Sequence, residues 1–276
     1  MVFLLLLTAC NPASRARGMR EVTDDLGRSV QVPVTIRRVV TLAPNLTEIV
    51  FAAGGGETLV GVDQFSDHPH DVRSLPRVGG MNPDIEKVVA LQPDVVLAST
   101  EGNQPGIAPS LAAAGVPLFV VRTDRLHEIP AALARLGELL GTGHGEVAAS
   151  TLRDQIRRQQ RRRDPQPQVV FVVWADPLYV AGRETFTDDL FTLTGARNAV
   201  PVKGWPQYSQ ESLLANAPDI VLYPAATVSR ESVERLFSAA PSVLRGLQIV
   251  PVDDNHFTRP GPRVVEAAAR LNEIMD

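Results

Sequence analysis

Two stretches of the chain repeat each other. Glu86-Lys-Val-Val-Ala-Leu-Gln-Pro93-Asp94-Val-Val-Leu97 and Glu211-Ser-Leu-Leu-Ala-Asn-Ala-Pro218-Asp219-Ile-Val-Leu222 carry Glu, Ala, Pro, Asp, Val and Leu at identical offsets. Between the copies lies Gly143 to Arg163, a polar segment without Gly or Pro between Gly145 and Asp164, closed by Pro165 and Pro167. It predicts one long helix with a narrow apolar stripe of Val147, Leu152 and Ile156, so it should lie along a surface. An internal repeat on either side of a single helical bridge implies two lobes of similar build, with a natural ligand site between them.

The segments around the repeats alternate between strand and helix. Arg20 to Pro33 predicts a hairpin turning at Asp25-Leu26-Gly27-Arg28. Arg38 to Ala43 predicts a buried strand, and Asn45 with Glu48 a capping pair for a helix running to Ala53. The free N–H groups at that helix start point beyond the strand ends, which makes Asn45 a candidate ligand residue. Further strands are expected at Leu59–Val62, Asp94–Ala98, Val116–Val121, Val169–Trp174, Tyr179–Ala181, Ile220–Tyr223 and Gln248–Val252. Helices are expected after Asn82-Pro83, over Ile107–Ala114, Ile129–Leu140 and Asp188–Thr194, after Ser209, and over Val228–Ala239 and Arg263–Met275. Each lobe should be α/β, a mainly parallel sheet covered on both faces by helices. The boundaries read as tether 1–19, first lobe 20–142, linker helix 143–165 and second lobe 166–276.

Hydrophobic residues make up 44% of the 276 and charged residues 21%, enough for ordinary cores in two lobes. A net charge of −4, and arginines at 157–163 without interleaved aromatics, argue against a nucleic-acid partner. No phosphate loop, nucleophile elbow or H-E-x-x-H appears, so no catalytic residue and no catalytic cofactor is assigned. His68 and His70 are the one close histidine pair, and Pro69 between them removes helical geometry; a metal-dependent enzyme using them with Asp67 is the remote alternative. Aromatics form only 5% of the chain, yet Phe65, Trp174, Tyr179, Trp205, Tyr208 and Phe257 all fall at predicted strand ends or in the loops after them. That placement suggests a flat, apolar ligand gripped between lobes, although each ring taken alone also fits a core position.

Val22 to Arg28, Leu42 to Glu48, Leu59 to Val62, Ile85 to Asp94 and Glu211 to Asp219 resemble the substrate-binding proteins of ABC importers for cobalamin, haem and iron siderophores. The resemblance spans roughly residues 20 to 275. Phe65-Ser66-Asp67, Gly204 to Ser209 and Phe257 to Arg263 are most similar to the cobalamin-binding members. It implies two Rossmann-like lobes joined by one long bridging helix, and a monomer that captures cobalamin or a related corrinoid without catalysis. The cleft positions carried over are Phe65, Trp174, Trp205 and Phe257 with its neighbours. It also implies that Glu86 and Glu211, one per lobe, meet arginines of the ABC permease, which works with its ATPase. Two positions depart from the cobalamin pattern: the loop before Gly80 is shortened, and His256 stands at a tryptophan position. His256 is therefore a polar cleft candidate, and a ferric-siderophore or haem ligand is the alternative, with Arg183 or Arg259 meeting negative charge.

Val2 to Leu7 is too short to span a bilayer, and Leu7-Thr8-Ala9-Cys10 resembles the lipobox of bacterial lipoproteins. That implies export and a lipid anchor on Cys10, at the periplasm or cell surface.

Overall fold

The structure is a computed structural model, describing residues 18–100, 106–240 and 245–276. Cys10 lies outside the described residues.

The chain opens with an antiparallel hairpin, β1 (Met19–Thr23) and β2 (Ser29–Pro33). Gly27, at φ +76°, supplies the left-handed residue the turn needs. Buried Asp24 caps the turn by accepting from the N–H groups of Leu26 and Arg28.

The first sheet has the order β4-β3-β5-β6, all parallel, built from β3 (Val39–Thr41), β4 (Leu59–Gly61), β5 (Val95–Ser99) and β6 (Leu118–Val121). Its helices are α1 (Pro44–Ala52), α2 (Ile85–Ala90), α3 (Ile107–Ala113) and α4 (Glu128–Leu140). The second sheet repeats that order. β7 (Gln168–Ala175) pairs in parallel with β9 (Arg197–Asn198) on one side and β10 (Ile220–Pro224) on the other, and β11 (Gln248–Val252) follows β10. An antiparallel strand, β8 (Leu178–Val180), is added along the far half of β7. Helices α6 (Phe186–Leu193), α7 (Gln210–Ala215) and α8 (Arg230–Arg235), a one-turn helix Asp254–Phe257 and the C-terminal helix Val264–Met275 complete this lobe.

The repeat owes its fixed spacing to one backbone task done twice. Asp94 Oδ2 accepts from the N–H groups of Arg37 and Arg38, at the entrance to β3. Asp219 Oδ2 accepts from the N–H of Gln168, the first residue of β7. Each aspartate thus pins the turn after its helix to the neighbouring central strand, satisfying donors that the sheet leaves unpaired.

Strand alternation divides the core. Val39, Val95, Leu97, Val169, Phe171, Ile220 and Leu222 face one continuous cluster that also takes in α1, α4, α6 and the C-terminal helix. Their neighbours Val40, Val96 and Ala98 face a second cluster, and Val170, Val172 and Val221 a third, one behind each sheet. The two lobes share their inner core and are not beads on a string.

The bridge is shorter than its sequence suggests. Helix α5 covers Gly145–Arg158, after which the N–H of Arg161 pairs with the carbonyl of Leu193 in the second lobe. Arg158 and Arg162 stand at i,i+4, a like-charge pair that disfavours helix continuation. Its buried stripe is Ala149, Leu152 and half-buried Ile156; Val147 is 69% exposed, because 147 and 152 are about 140° apart around a helix. Helices α4 and α5 cross where a Cβ on Gly137 would collide with the Gly145 backbone. Similarly, α8 begins at Arg230 behind its N-cap Ser229 and ends at Arg235, short of the expected Ala239.

Candidate functional site

Facing strand ends are tied together by residues from both lobes. Asn45, just after β3, donates to Thr123 Oγ1 at 3.0 Å and across to the Pro260 carbonyl at 3.3 Å. Glu48 receives Arg263 in a forked pair, Nε to Oε2 at 2.9 Å and Nη2 to Oε1 at 2.5 Å. Arg259 reaches Asp67 Oδ1 at 2.6 Å and the Phe65 carbonyl at 3.1 Å, and lies 3.7 Å from Glu48. Farther along, Arg125 donates to Asp189 at 2.9 and 2.5 Å.

These bonds overturn the expected capping pair. The N-cap of α1 is Ala43, which makes no side-chain cap bond, and Pro44 fills the first helical position where its missing N–H goes unmissed. Asn45 and Glu48 lie inside the helix and turn toward the second lobe. Asn45 is 4% exposed with its amide donating twice, so it serves the lobe junction.

Charge placement here is held by geometry. Burial alone would raise the Asp67 carboxyl, but its hydrogen bond from Arg259 and the charges of Arg259 and Arg263 bring it below its ordinary value. Burial would likewise lower Arg263, and the Glu48 pair with the Asp67 and Asp253 charges lifts it instead. Asp63 is the exception: burial pushes its carboxyl up, and bonds from Ser66 and the Phe65 N–H, with the Arg259 charge, offset this only in part.

The exposed rings stand at or just beyond strand ends. Phe65, after β4, is 56% exposed and lies over Gly80, where a Cβ would sit 3.0 Å from its ring. Trp174, one residue before the end of β7, is 47% exposed, with its indole N–H donating to the Asp176 carbonyl at 2.8 Å. Tyr179 on β8 is exposed and pairs through its backbone with Gln207, while Gly182 N–H bonds to the Gly204 carbonyl. A Cβ at Gly182 would strike the Val202 carbonyl, so glycine is what allows this ladder to close and carry the Trp205 loop. Trp205 is half-buried with its ring 6.0 Å from Phe186, and half-buried Tyr208 accepts from Asn216 through its hydroxyl at 3.1 Å.

Phe257 corrects the sequence expectation. It is 1% exposed and packs 5.8 Å from Phe171 in the shared core, because the one-turn helix Asp254–Phe257 directs it inward. His256 beside it is half-buried. Met81 (64% exposed) and Val202 were missed; both are exposed apolar residues flanking the ring-bearing loops, and a search for aromatics alone passes over them. Among the described residues no three His, Cys, Asp or Glu side chains are grouped to hold a metal ion.

Glu86 and Glu211 occupy the same place in their lobes. Each is the second residue of its helix, exposed, behind an N-cap, Asp84 or Ser209, whose side chain accepts from the N–H three residues on. No described helix is long and apolar enough to cross a membrane.

Residues 39–238 match the family described as periplasmic binding protein. The vitamin B12-binding protein of Pectobacterium carotovorum subsp. carotovorum (strain PC1) is 30% identical over 246 residues, covering 85% of this chain and 87% of its own. That of Yersinia pestis (strain Pestoides F) is 28% identical over 256 residues, 86% of each. Among solved structures, the periplasmic heme-binding protein of Roseiflexus sp. RS-1 has a TM-score of 0.77 at 26% identity, over 86% of this chain and 97% of its own. The periplasmic vitamin B12 binding protein of Vibrio cholerae shares the fold with a TM-score of 0.74 at 24% identity, over 86% and 96%.

Proposed function

The chain belongs to the periplasmic binding protein family, and from that we propose that it captures cobalamin or a related corrinoid between its lobes and delivers it to an ABC importer. The observation that carries the reading is the exposure of Phe65, in the loop after β4, and of Trp174, near the end of β7, in opposite lobes whose edges are bonded to each other. Large exposed rings on a rigid frame are costly in water and useful against a flat, apolar macrocycle. Phe65, Trp174, Tyr179 and Trp205 supply the faces, with Tyr208 and His256 at the margin. Asn45 and Arg259 act at the junction beneath them.

No group in the site is asked to transfer a proton or make a bond, so the protein works as a carrier without a catalytic cofactor. The inter-lobe bonds and shared core hold the cleft near one opening, and recognition proceeds by stacking and shape. Exposed Glu86 and Glu211, matched in position, dock a permease carrying paired arginines. We assign export, a lipid anchor on Cys10 and action as a monomer to the same reading.

A second reading, a haem carrier, is favoured by the likeness to heme-binding proteins of Roseiflexus and Pseudomonas aeruginosa, at 26% and 29% identity. Calorimetric titration of the purified protein with cyanocobalamin, haemin and a ferric hydroxamate decides between them. Saturable one-to-one binding of the corrinoid alone supports the first reading. Binding of haemin or the iron complex alone replaces it.

A further inference from the structure

Phe65 is held by its backbone from two sides. Its N–H donates to Asp63 Oδ2 at 2.9 Å, and its carbonyl accepts from Arg259 of the opposite lobe at 3.1 Å. Beneath the ring runs a buried polar chain. The Ser66 hydroxyl donates to Asp63 Oδ1 and lies 2.8 Å from Thr47 Oγ1, which lies 2.6 Å from Thr41 Oγ1. Arg77 donates to the carbonyls of Asp63 and Ser66, so its guanidinium serves the loop backbone, while the Asp63 carboxylate is met by the hydroxyl and N–H of Ser66, the N–H of Phe65 and, through its charge, Arg259. Asp63 and Ser66 are each 2% exposed, and Thr41 and Thr47 are fully buried.

A buried carboxylate that only the more distant Arg259 charge offsets is expensive, and a leucine or valine there would stabilise the fold more cheaply. What Asp63 provides is order in a loop whose one exposed apolar side chain is Phe65, between exposed Gln64 and Asp67. A ring that was merely left on the surface would need no such frame.

We propose that Asp63 is a positioning residue for cargo capture. It fixes the 63–67 loop from below while Arg259 fixes it from the other lobe, so that the Phe65 ring is presented at a set place before the ligand arrives. Asp63 itself touches no ligand. The inference rests on the carrier reading and on Phe65 as a cleft residue.

The test is a double-mutant cycle on the full protein with cyanocobalamin and haemin as probes, alongside amide hydrogen exchange of the ligand-free protein. Asp63→Ala is expected to weaken binding about tenfold, as pre-organisation is lost, and to raise exchange at the Phe65 amide. Asp63→Asn keeps an acceptor for the Phe65 N–H and restores most of the affinity. In a Phe65→Ala background, Asp63→Ala costs nothing further. Should Asp63→Ala fail to fold, Ser66→Ala, which removes the one side-chain donor, takes its place in the cycle. An equal loss in both backgrounds, or unchanged exchange at Phe65, overturns the inference. Wild-type protein that binds neither probe removes the carrier reading and this role with it; binding by wild type that Asp63→Ala leaves intact removes this role alone.

Discussion

Glu48 and Arg263, 215 residues apart in sequence, form a forked ion pair across the lobe junction with side chains only 3% and 17% exposed. A pair so placed contributes little net stability when intact, because desolvation offsets attraction, but breaking it leaves the buried Glu48 charge with only Arg259 at 3.7 Å. Arg263→Ala should therefore destabilise the protein by about 3–5 kcal/mol, read by chemical denaturation. Glu48→Gln with Arg263→Met should cost far less. A loss below ~1 kcal/mol for the single variant would mean that the lobes open and water reaches Glu48, against the fixed-cleft reading.

Burial separates two aromatic positions that look alike in sequence. Trp174 is 47% exposed and Phe257 is 1% exposed against Phe171. Trp174→Ala should weaken ligand binding by about 1.4 kcal/mol, roughly tenfold in Kd, with the melting temperature unchanged. Phe257→Ala should cost about 3–5 kcal/mol of stability and leave the Kd of the folded protein near wild type. Trp205→Ala, half-buried over Phe186, should show some of both. The reverse pattern for the first two would place the ligand in the core side of the cleft.

The architecture was legible because its repeat encodes backbone tasks: Asp94 and Asp219 stand at fixed offsets to serve the entrances of β3 and β7. Strand and helix alternation gave the parallel sheets for the same local reason. What stayed hidden depends on partners distant in sequence. Asn45 and Glu48 carry the spacing of a capping box, yet their partners Pro260 and Arg263 lie in the other lobe. Phe257 cannot be told from a cleft ring until Phe171 is seen beneath it. Strand β9, of two residues, has too little pattern to find. Position near strand ends singles out Phe65 and Trp174 as exposed rings, while the exposure of Met81 and Val202 has no aromatic signal to mark it.

Glu86 and Glu211 test the division between capture and delivery. Both are exposed first-turn residues whose helix-dipole benefit is about 0.5 kcal/mol each, so replacing them should barely change folding. Glu86→Ala with Glu211→Ala should abolish ligand uptake by proteoliposomes containing the permease while the solution Kd stays within about twofold. Arginine at both positions should do the same. Affinity lost in step with transport would assign the glutamates to the cleft instead.

Two buried aspartates should respond to pH in opposite directions. Asp24 is buried, which would raise its carboxyl, but bonds from the Arg28 side chain and the N–H groups of Arg28 and Val120, with the Arg28 charge, hold it below its ordinary 3.8. Its contribution is present above pH 3.8 and is lost as pH falls through the lower folded value. Asp63 is pushed above 3.8 chiefly by burial, so its contribution is full below 3.8 and is lost as pH rises through the higher folded value. Asp24→Asn should therefore lose about 1–3 kcal/mol at neutral pH, a deficit that shrinks on acidification below roughly pH 4. Asp63→Asn, relieved of a buried charge but keeping an acceptor for Phe65, should match or exceed wild-type stability at neutral pH, and that advantage should shrink as pH falls. Urea unfolding of both variants and wild type from acidic to neutral pH distinguishes the cases. A stability deficit for Asp63→Asn that shrinks with acid, as for Asp24→Asn, would mean that hydrogen bonds outweigh burial at Asp63 and that its carboxylate is stabilised in the fold.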